Sequence, residues 1–353
     1  MCSKKDASVD FLNSKKIDRE IKKEAMEVQP LKLLLLGGGE SGKSTIFKQI
    51  ISFQDEKTKK ENTPSSDSIV RNIYQNIVVS IQTLLDSLYL YDLEISYEDR
   101  ERAKLIENIS EHLEDLNQHT FISIAQDLKY FWAKEVVQNI YNNPNRLFNL
   151  NDSAEYFLNG IDKYAVPQYK PNQTDLLRVR VKTTGIVEAD FSINELPFKL
   201  IDVGGQKNQR RKWIHCFQNI TCVLFVTSIN DYDTVLEEDI NIKRLDDSLQ
   251  IFREMVNSHW FEKSAFVLFL NKVDLFKQKI KKVPLSDHLK DFTGRNESFN
   301  ETSQFIKNKF LHTNKNSERF IYHHFTCALD TEAIEVVFKS IQDTLLSSIT
   351  EIL

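Results

Sequence analysis

The chain has 353 residues, 46 Lys and Arg against 51 Asp and Glu, 41% hydrophobic residues and 27% charged residues. This composition excludes a disordered, collagen-like or coiled-coil protein, and the length predicts about two domains that can each bury a core. A formal net charge of −5 without a basic stripe excludes nucleic acid as an expected partner. No apolar run approaches the roughly 20 residues that cross a bilayer, and the four cysteines are scattered, so we expect a cytoplasmic protein.

The first segment mixes basic and acidic side chains with thinly spaced apolar ones, which predicts an exposed amphipathic helix at 1–29. Further along the chain, short apolar runs bounded by turn residues predict buried strands, and one polar, alternating run predicts an edge strand. The predicted strands are Leu31–Leu36, Thr184–Ile193, Phe198–Val203, Cys222–Ile229, Ala265–Asn271 and Phe320–Thr326. Helical patterns separate most of these strands, at 43–53, 207–218, 242–257 and 331–349. The alternation predicts the α/β fold class, with a doubly wound and mostly parallel sheet.

A different region interrupts this alternation. From Lys43 to Asn159 the chain has no glycine and its apolar residues recur at helical spacing, which predicts an inserted all-helical domain. Its linkers are expected at 54–68 and 167–173, where polar and turn-forming residues collect. After the N-terminal helix, the expected division of the chain is a first α/β part at 30–57, the helical domain at 58–173 and a second α/β part at 174–353.

The first predicted strand runs directly into Gly37–Thr45, which fits the pattern G-x-x-x-x-G-K-S and leads into a helical pattern. This is the context of a phosphate-binding loop, in which backbone N–H groups and a helix N-terminus meet phosphate oxygens. Lys43 is expected to neutralise the β- and γ-phosphates, and the Ser44 hydroxyl to ligate Mg²⁺. Ser41, Gly42 and Thr45 complete the loop around the phosphates. The alternative is a glycine turn with an incidental lysine.

A second motif, Asn271–Asp274, follows the strand that ends at Leu270 or Asn271. Asp274 can accept two hydrogen bonds from guanine, a donor pair that adenine lacks, while the stem of Lys272 covers the base and Asn271 ties neighbouring loops together. Alone the tetrapeptide is a weak signal, but after a phosphate-binding loop it predicts guanine specificity. After the last strand, backbone N–H groups of Cys327 and Ala328 are expected at the base carbonyl, although a strand end leading into a helix explains that segment equally well.

Two further segments carry groups suited to phosphoryl transfer. In Asp202–Gln206, Asp202 can hold Mg²⁺ through water, the Gly205 N–H can reach the γ-phosphate and Gln206 can orient the attacking water. Its alternative is a glycine turn capped by Asp. The stretch 175–185 offers a threonine as a second Mg²⁺ ligand and an arginine for the transferred phosphoryl group, but it also fits the exposed face of an edge strand.

These five segments, in this order and with a long helical insertion after the first, resemble the α subunit of a heterotrimeric G protein, a Ras-like GTPase domain with a helical-domain insertion. The resemblance covers nearly the whole chain from Leu31 and implies that GTP is bound with Mg²⁺ and hydrolysed to GDP. It further implies that Arg180 is a built-in arginine finger, that Thr183 ligates Mg²⁺ and that Gln206 aligns the hydrolytic water. The other positions that it implies around the nucleotide are Glu40 over the phosphates, Ser153, Leu177 and Arg178 along the insertion side, and Asp152 paired with Lys272.

The resemblance also implies partners. A βγ dimer would bind the GDP form through the 1–29 helix and the Gln206–Phe217 stretch, and effectors would bind the GTP form. A membrane receptor with exchange activity would contact the C-terminal end, and GTPase-activating proteins of the RGS type would act on the GTP form. The chain would then transduce a signal from the receptor to the effectors while lying peripherally at the inner face of the plasma membrane.

Some residues depart from the family pattern. Cys2 replaces the glycine that N-myristoylation needs, which leaves palmitoylation or an unmodified cysteine. Asp247 replaces a glutamate that pairs with Arg210, and 207–209 lacks the usual Arg-Ser-Glu, so the segment after Gln206 is expected to lock less firmly. Leu329 replaces a polar residue near the base and is expected to alter nucleotide retention. The tail at 347–353 does not indicate a receptor class.

Two other functions fit parts of the pattern. A binding module could hold GTP without useful turnover, but the presence of Arg180 and Gln206 argues against it. A phosphotransferase with a helical lid would share the phosphate-binding loop, but Asn271–Asp274 and the lack of an acceptor-substrate motif argue against it. Single-turnover release of phosphate separates the three readings, because the module predicts none and the transferase predicts dependence on an acceptor.

Overall fold

The computed structural model describes residues 29–143, 148–193 and 196–350, with the side chains of the last helix described as far as Asp343. Its strands are β1 Leu31–Leu36, β2 Ile186–Ile193, β3 Leu196–Val203, β4 Ile220–Ser228, β5 Ala265–Asn271 and β6 Ile321–Phe325. They form one sheet in the order β2-β3-β1-β4-β5-β6, and all neighbours pair in parallel except β2 and β3. Because the chain order reverses at β1, the sheet is doubly wound, which confirms the predicted fold class.

Some helices pack on the two faces of this sheet. Those that come between α1 and β2 along the chain form a separate layer, the helical layer. In chain order, the helices are α1 Lys43–Ser52, α2 Glu56–Asn62, α3 Ser66–Leu90, α4 Tyr97–Glu111, α5 Gln118–Ala133, α6 Glu135–Tyr141, α7 Ala154–Asn159, α8 Ile161–Tyr164, α9 Gln173–Arg178, α10 Lys207–Arg210, α11 Arg244–Val256, α12 Val273–Lys279, α13 Leu285–His288, α14 Phe299–Leu311 and α15 Thr331–Thr350. Within the described ranges, no helix is both long and apolar enough to cross a membrane.

The sheet is buried on both faces, which explains the uninterrupted leucines of β1. Leu34 packs in the core on one face, under α11 and α14, while Leu33 and Leu35 pack on the other face, under α1 and α15. Successive side chains of a strand point to opposite faces, so a strand covered on both sides reads as a continuous apolar run.

The helical layer is built around α3. Its side chains at helical spacing are all buried, namely Ile69, Ile73, Ile77, Ile81, Leu84 and Leu88. They pack against α4 to α8 in a core of their own that also includes Val179. The Ser65 side chain accepts a hydrogen bond from the Ser68 N–H and caps the helix N-terminus.

Several local predictions differ from the structure. The single helix expected at 207–218 is wrong: it is replaced by α10 and a separate 3₁₀ turn at Trp213–Cys216. The entry linker contains a short helix, α2, because the Asp55 carboxylate caps its N-terminus by accepting from the Thr58 N–H. The helices α12, α13 and α14 were not predicted. The expected N-terminal helix and Cys2 lie outside the described residues.

Candidate nucleotide site

A cavity of about 500 Å³ lies between the sheet and the helical layer. Loops that follow β1, β3, β5 and β6 line one side, and α3, the 151–153 loop and the segment after α9 line the other. This is the usual position of a ligand in an open α/β sheet. The predicted site residues that line it are Glu40, Gly42, Lys43, Ser44, Thr45, Ser153, Leu177, Arg178, Arg180, Thr183, Asp202, Gly205, Gln206, Asn271, Lys272, Asp274, Cys327 and Ala328. Ser41 is the exception, because its buried hydroxyl donates to the Gly38 carbonyl at 3.0 Å.

The loop after β1 needs glycine at two positions. Gly37 has φ +141°, and a Cβ there would lie 2.0 Å from the Val226 carbonyl oxygen. Gly42 has φ +101°, and a Cβ there would lie 2.2 Å from Asn271 Nδ2. Both positions combine a left-handed backbone with a contact that leaves no room for a side chain, so the loop can follow this path only with glycine.

Lys43 points its ammonium group back into this loop. Its Nζ donates to the carbonyl oxygens of Gly37 at 3.1 Å and Gly38 at 2.7 Å, and the residue is buried. Burial lowers the pKa of Lys43 to about 8, and the nearby Asp202 carboxylate opposes that shift. A desolvated cation surrounded by loop carbonyls is a strong attractor for a phosphate oxygen.

Three oxygen-bearing side chains meet beside Lys43. Ser44 Oγ donates to Asp202 Oδ2 at 2.7 Å and lies 2.8 Å from Thr183 Oγ1. The other carboxylate oxygen, Asp202 Oδ1, is buried and has no hydrogen-bond partner, and burial raises the pKa of this group. Hydroxyl and carboxylate oxygens are the ligands that Mg²⁺ prefers, so this donor set fits the ion.

Asn271, at the end of β5, joins the phosphate-binding loop to the loop after β6. Its Nδ2 donates to the Ser41 carbonyl at 2.9 Å, and its Oδ1 accepts from the Ala328 N–H at 3.0 Å and from the Thr326 hydroxyl at 3.2 Å. The loop expected to contact the base is thereby fastened to the phosphate-binding loop. Asp274, three residues after Asn271, lines the same cavity.

Lys272 reaches across the cavity to the helical layer. It has a left-handed backbone with φ +62°, and its Nζ lies 2.6 Å from Asp152 and 3.8 Å from Asp231. Burial by itself lowers the pKa of Lys272, but the two carboxylates outweigh burial and raise the pKa overall. The lysine therefore stays charged and forms the expected ion pair with Asp152.

Arg180 and Arg244 share one carboxylate. Arg180 Nη2 lies 2.7 Å from Glu40 and 3.4 Å from Glu237, while Arg244 binds both Glu40 oxygens, at 2.8 and 3.2 Å. Burial by itself raises the pKa of Glu40, but Arg244 and Arg180 outweigh it and lower the pKa to about 2. Glu40 therefore holds the Arg180 guanidinium at the mouth of the cavity.

Known proteins share this organisation. A family model described as the G-protein alpha subunit matches residues 12–345. A guanine nucleotide-binding protein alpha-12 subunit of Dictyostelium discoideum is 62% identical over 355 residues, which cover 100% of both chains. An alpha-4 subunit of the same organism is 40% identical over 96% of each chain, and a G(o) subunit alpha of Planorbella trivolvis is 39% identical over 95% of this chain and 94% of its own.

The chain belongs to the G-protein α-subunit family. It is accordingly a guanine-nucleotide-binding GTPase of heterotrimeric G-protein signalling, which confirms the predicted family and activity.

In this α subunit, the segment after Gln206 is fastened by side chains that reach back to glycine carbonyls. Arg210 Nε donates to the Gly205 carbonyl at 3.0 Å, and Trp213 Nε1 donates to the Gly204 carbonyl at 2.8 Å. Arg210 also binds both oxygens of Asp247, at 2.7 and 2.6 Å. Asp247, which was expected to weaken the pair with Arg210, therefore still binds it through both carboxylate oxygens.

Sequence reasoning missed three residues that shape the α-subunit site. Lys48 Nζ donates to the carbonyls of Leu176 at 2.9 Å and Val179 at 3.1 Å, just before Arg180. The Asn76 amide binds the backbone of Arg180, and Arg244 binds Glu40. No local motif surrounds these residues, and Asn76 and Arg180 are 104 positions apart. Only the tertiary fold brings them to the cavity.

Proposed function

We propose that this α subunit binds GTP and GDP with Mg²⁺ in the 500 Å³ cavity and hydrolyses GTP there with Arg180 and Gln206. The observation that carries this proposal is the convergence of Ser44, Thr183 and Asp202 beside Lys43, with Asp202 Oδ1 left unpaired. A buried carboxylate oxygen without a partner is costly, and a cation provides what it lacks.

Ser44 and Thr183 would hold Mg²⁺ directly, and Asp202 would hold it through water. Bound at that place, the ion neutralises charge on the phosphates. The chain's own residues divide the remaining work. Lys43 and the loop N–H groups hold the phosphates, and Gly205 offers a further N–H to the terminal one.

Gln206 would orient the attacking water, and Arg180 would leave Glu40 to meet negative charge on the transferred phosphoryl group. At the other end, Asp274 would accept two hydrogen bonds from guanine, with Lys272 against the base and Asn271 fixing the loop. The remaining contacts to the base and sugar would come from Ser153, Leu177, Arg178, Cys327 and Ala328.

Loss of the terminal phosphate would free the Thr183 and Gly205 contacts and let the segments 178–186 and 203–216 rearrange. In the GDP state, a βγ dimer would bind through the 1–29 helix and the 206–217 segment. A membrane receptor would promote exchange, effectors would bind the GTP form, and RGS-type proteins would speed hydrolysis. The α subunit would act peripherally at the inner face of the plasma membrane, with the helical domain at 58–173 closing the nucleotide between the parts at 30–57 and 174–353.

A single-turnover assay of phosphate release from prebound GTP tests the proposal. Gln206→Leu is expected to bind a non-hydrolysable GTP analogue normally but to slow phosphate release by about 100-fold or more, since it removes the group that orients water. Gln250→Leu, at an exposed position on α11, is the matched control and is expected to behave like the wild type. Unchanged hydrolysis in Gln206→Leu would refute the assigned role.

A further inference from the structure

The side-chain amide of Asn76, on the cavity side of α3, makes four hydrogen bonds. Its Oδ1 accepts from the Arg180 N–H at 3.0 Å and from Asn151 Nδ2 at 3.1 Å. Its Nδ2 donates to the Arg180 carbonyl at 2.9 Å and to the Asn72 carbonyl one turn earlier, at 2.8 Å. An asparagine amide has two donors and two acceptor positions, so its full capacity is used and its orientation is determined.

Two of these bonds grip both main-chain polar groups of one residue. Residues 179–185 lie in neither a helix nor a strand, so the N–H and C=O of Arg180 have no partner from secondary structure. The amide of Asn76 takes the place that a neighbouring strand would occupy. Because it binds on both sides of the Arg180 Cα, it limits rotation about φ and ψ of that residue.

The residues just before Arg180 are held by α1, whereas Arg180 itself is held by α3. Lys48, on α1, binds the carbonyls of Leu176 and Val179, and the Val179 side chain is buried in the core of the helical layer. Arg180 is therefore the point at which a tightly held segment ends. Beyond it, Val181 is exposed.

The guanidinium of Arg180 has different partners from the Arg180 backbone. Among the residues that the structure describes, it is bound by two carboxylates, at 2.7 Å to Glu40 and 3.4 Å to Glu237, and it lines the cavity. Such pairs can be exchanged for a more strongly charged partner, whereas the two amide bonds to the backbone can stay intact during that exchange. The side chain can thus move while its Cα keeps its position.

We propose that Asn76 is a positioning residue for GTP hydrolysis, which holds the Arg180 backbone so that the guanidinium reaches the transferred phosphoryl group. This role rests on the proposed function, since it acts only through Arg180. Asn151 supports it from behind, because its Nδ2 donates to the oxygen of Asn76 while its own Oδ1 accepts from the Ser153 N–H at 3.0 Å. In this way Asn76, a residue of the helical layer, contributes to catalysis without itself contacting the nucleotide.

A double-mutant cycle tests the proposal, with single-turnover phosphate release measured for wild type, Asn76→Ala, Arg180→Ala and the double variant. Asn76→Ala is expected to slow hydrolysis by about 10- to 100-fold, since a displacement near 1 Å at a catalytic group has an effect of this order. In the Arg180→Ala background the same change is expected to alter the rate by less than about twofold, because no guanidinium remains to be positioned. Affinity for a non-hydrolysable GTP analogue is expected to stay within about threefold.

Gln75→Ala is the matched control, because Gln75 is the adjacent residue on α3 and its amide donates to the Leu113 carbonyl, away from Arg180. It is expected to leave hydrolysis unchanged. If Asn76→Ala does not fold, Asn76→Asp carries the test, since it keeps the acceptor for the Arg180 N–H and loses the donor. Because its second oxygen then faces the carbonyls of Arg180 and Asn72 without a proton to donate, it is expected to show a loss of rate at least as large, which again depends on Arg180.

The outcomes separate the inference from the function on which it rests. If Arg180→Ala leaves hydrolysis unchanged, the proposed function fails. If Arg180→Ala slows hydrolysis but Asn76→Ala does not, or slows it by the same factor in both backgrounds, the positioning role of Asn76 is overturned. A loss confined to the background that retains Arg180 supports it.

Discussion

The two sides of the cavity offer the nucleotide different kinds of group. On the sheet side, the groups are buried and held by backbone geometry, as at Gly37, Gly42 and Lys43. On the helical side, some contacts that cross to the sheet are single side-chain bonds, such as Asp152 to Lys272 and Asn149 Nδ2 to the Val235 carbonyl at 3.2 Å. The sheet side therefore holds most of the groups proposed for chemistry, while the helical side supplies Arg180, with Asn76 on its backbone, and contacts that retain the nucleotide.

The difference in burial has an energetic consequence. The Asp152 side chain is 36% exposed, whereas that of Asp202 is almost completely buried. Partly exposed ion pairs contribute about 1 kcal/mol or less, so the contacts across the cavity can break without unfolding either side. Changes to these cross-cavity pairs should therefore affect release modestly, whereas changes on the sheet side, at Arg180 or at Asn76 should affect hydrolysis or recognition strongly. Arg180 is the residue at which the two sides meet.

The largest effect is expected for Arg180→Ala. Loss of the guanidinium should slow single-turnover hydrolysis by about 10³- to 10⁵-fold, the range already assigned to arginine fingers of this family rather than one obtained from the present geometry. Binding of GTP analogues should change little. Arg253→Ala, at an exposed position on α11, is the control and should leave both quantities unchanged. A wild-type rate of hydrolysis in Arg180→Ala would refute the catalytic role proposed for Arg180.

Asp274→Asn comes next and tests recognition on the sheet side. Loss of two hydrogen bonds to a charged acceptor should weaken GDP binding by about 10²- to 10⁴-fold. Xanthosine diphosphate should gain affinity, because the amide donates toward its 2-oxo group. A competition binding assay with GDP and xanthosine diphosphate measures this change of preference. Asp246→Asn, at an exposed position, is the control. If both nucleotides lose affinity equally, the assignment of Asp274 to the base is wrong.

Asp175→Asn tests what stabilises the interior of the helical layer. The fully buried Asp175 carboxylate accepts from the hydroxyls of Tyr156, Tyr164 and Tyr169 and from Lys163. Burial by itself raises the pKa of Asp175, but hydrogen bonds from Tyr169 and then others outweigh it and lower the pKa overall. Loss of the charge should lower the free energy of unfolding by about 2–4 kcal/mol at pH 7.

A lowered pKa in the folded state means that this stabilisation is present above the ordinary carboxyl pKa and is lost as the pH falls below it. Urea unfolding of wild type and Asp175→Asn should therefore differ by a nearly constant free energy from pH 7 to about 5 and converge as the pH is lowered below about 4. Asp162→Asn, which removes an exposed partner of Lys129, should change stability by less than about 0.5 kcal/mol. A difference that is constant with pH would contradict the role of the Asp175 charge.

The smallest effect is expected for Asp152→Ala, which breaks the ion pair with Lys272. GDP release should quicken by about two- to fivefold, because a partly exposed pair contributes about 0.5–1 kcal/mol. Hydrolysis of prebound GTP should stay near the wild-type rate. Asp127→Ala, which breaks the similarly exposed pair with Arg102 on the far side of the helical layer, should not affect release. If Asp152→Ala slowed GTP hydrolysis and left GDP release unchanged, the Asp152–Lys272 pair would not act in retention of the nucleotide.

The sequence predicted the sheet side better than the helical side. In Gly37–Thr45 the strand, loop and helix are contiguous, so the motif determines the local structure and its position at the sheet edge. The residues of Asn271–Asp274 were predictable for the same reason. Asn76, Lys48 and Arg244 were not, because each acts on a residue that only the tertiary fold brings near.

Local patterns also failed where tertiary contacts override helical propensity. The apolar spacing of 207–218 suggested one helix, but Arg210 and Trp213 donate to glycine carbonyls before the segment and divide it into α10 and a 3₁₀ turn. Periodicity does not register such contacts. At Ser41 the motif indicated the correct loop, yet the side chain turns inward to Gly38.

In this α subunit a terminal phosphate is expected to rearrange the segment 203–216, and Trp213 lies where it reports on that change directly. This indole is buried and donates to the Gly204 carbonyl, next to the N–H proposed for the γ-phosphate. Its fluorescence should change when aluminium fluoride, which stands in for the transferred phosphoryl group, is added to the protein with GDP and Mg²⁺. The change should disappear in Trp213→Phe, which retains the other two tryptophans. An identical spectrum with and without aluminium fluoride, in protein that demonstrably binds GDP, would contradict the account.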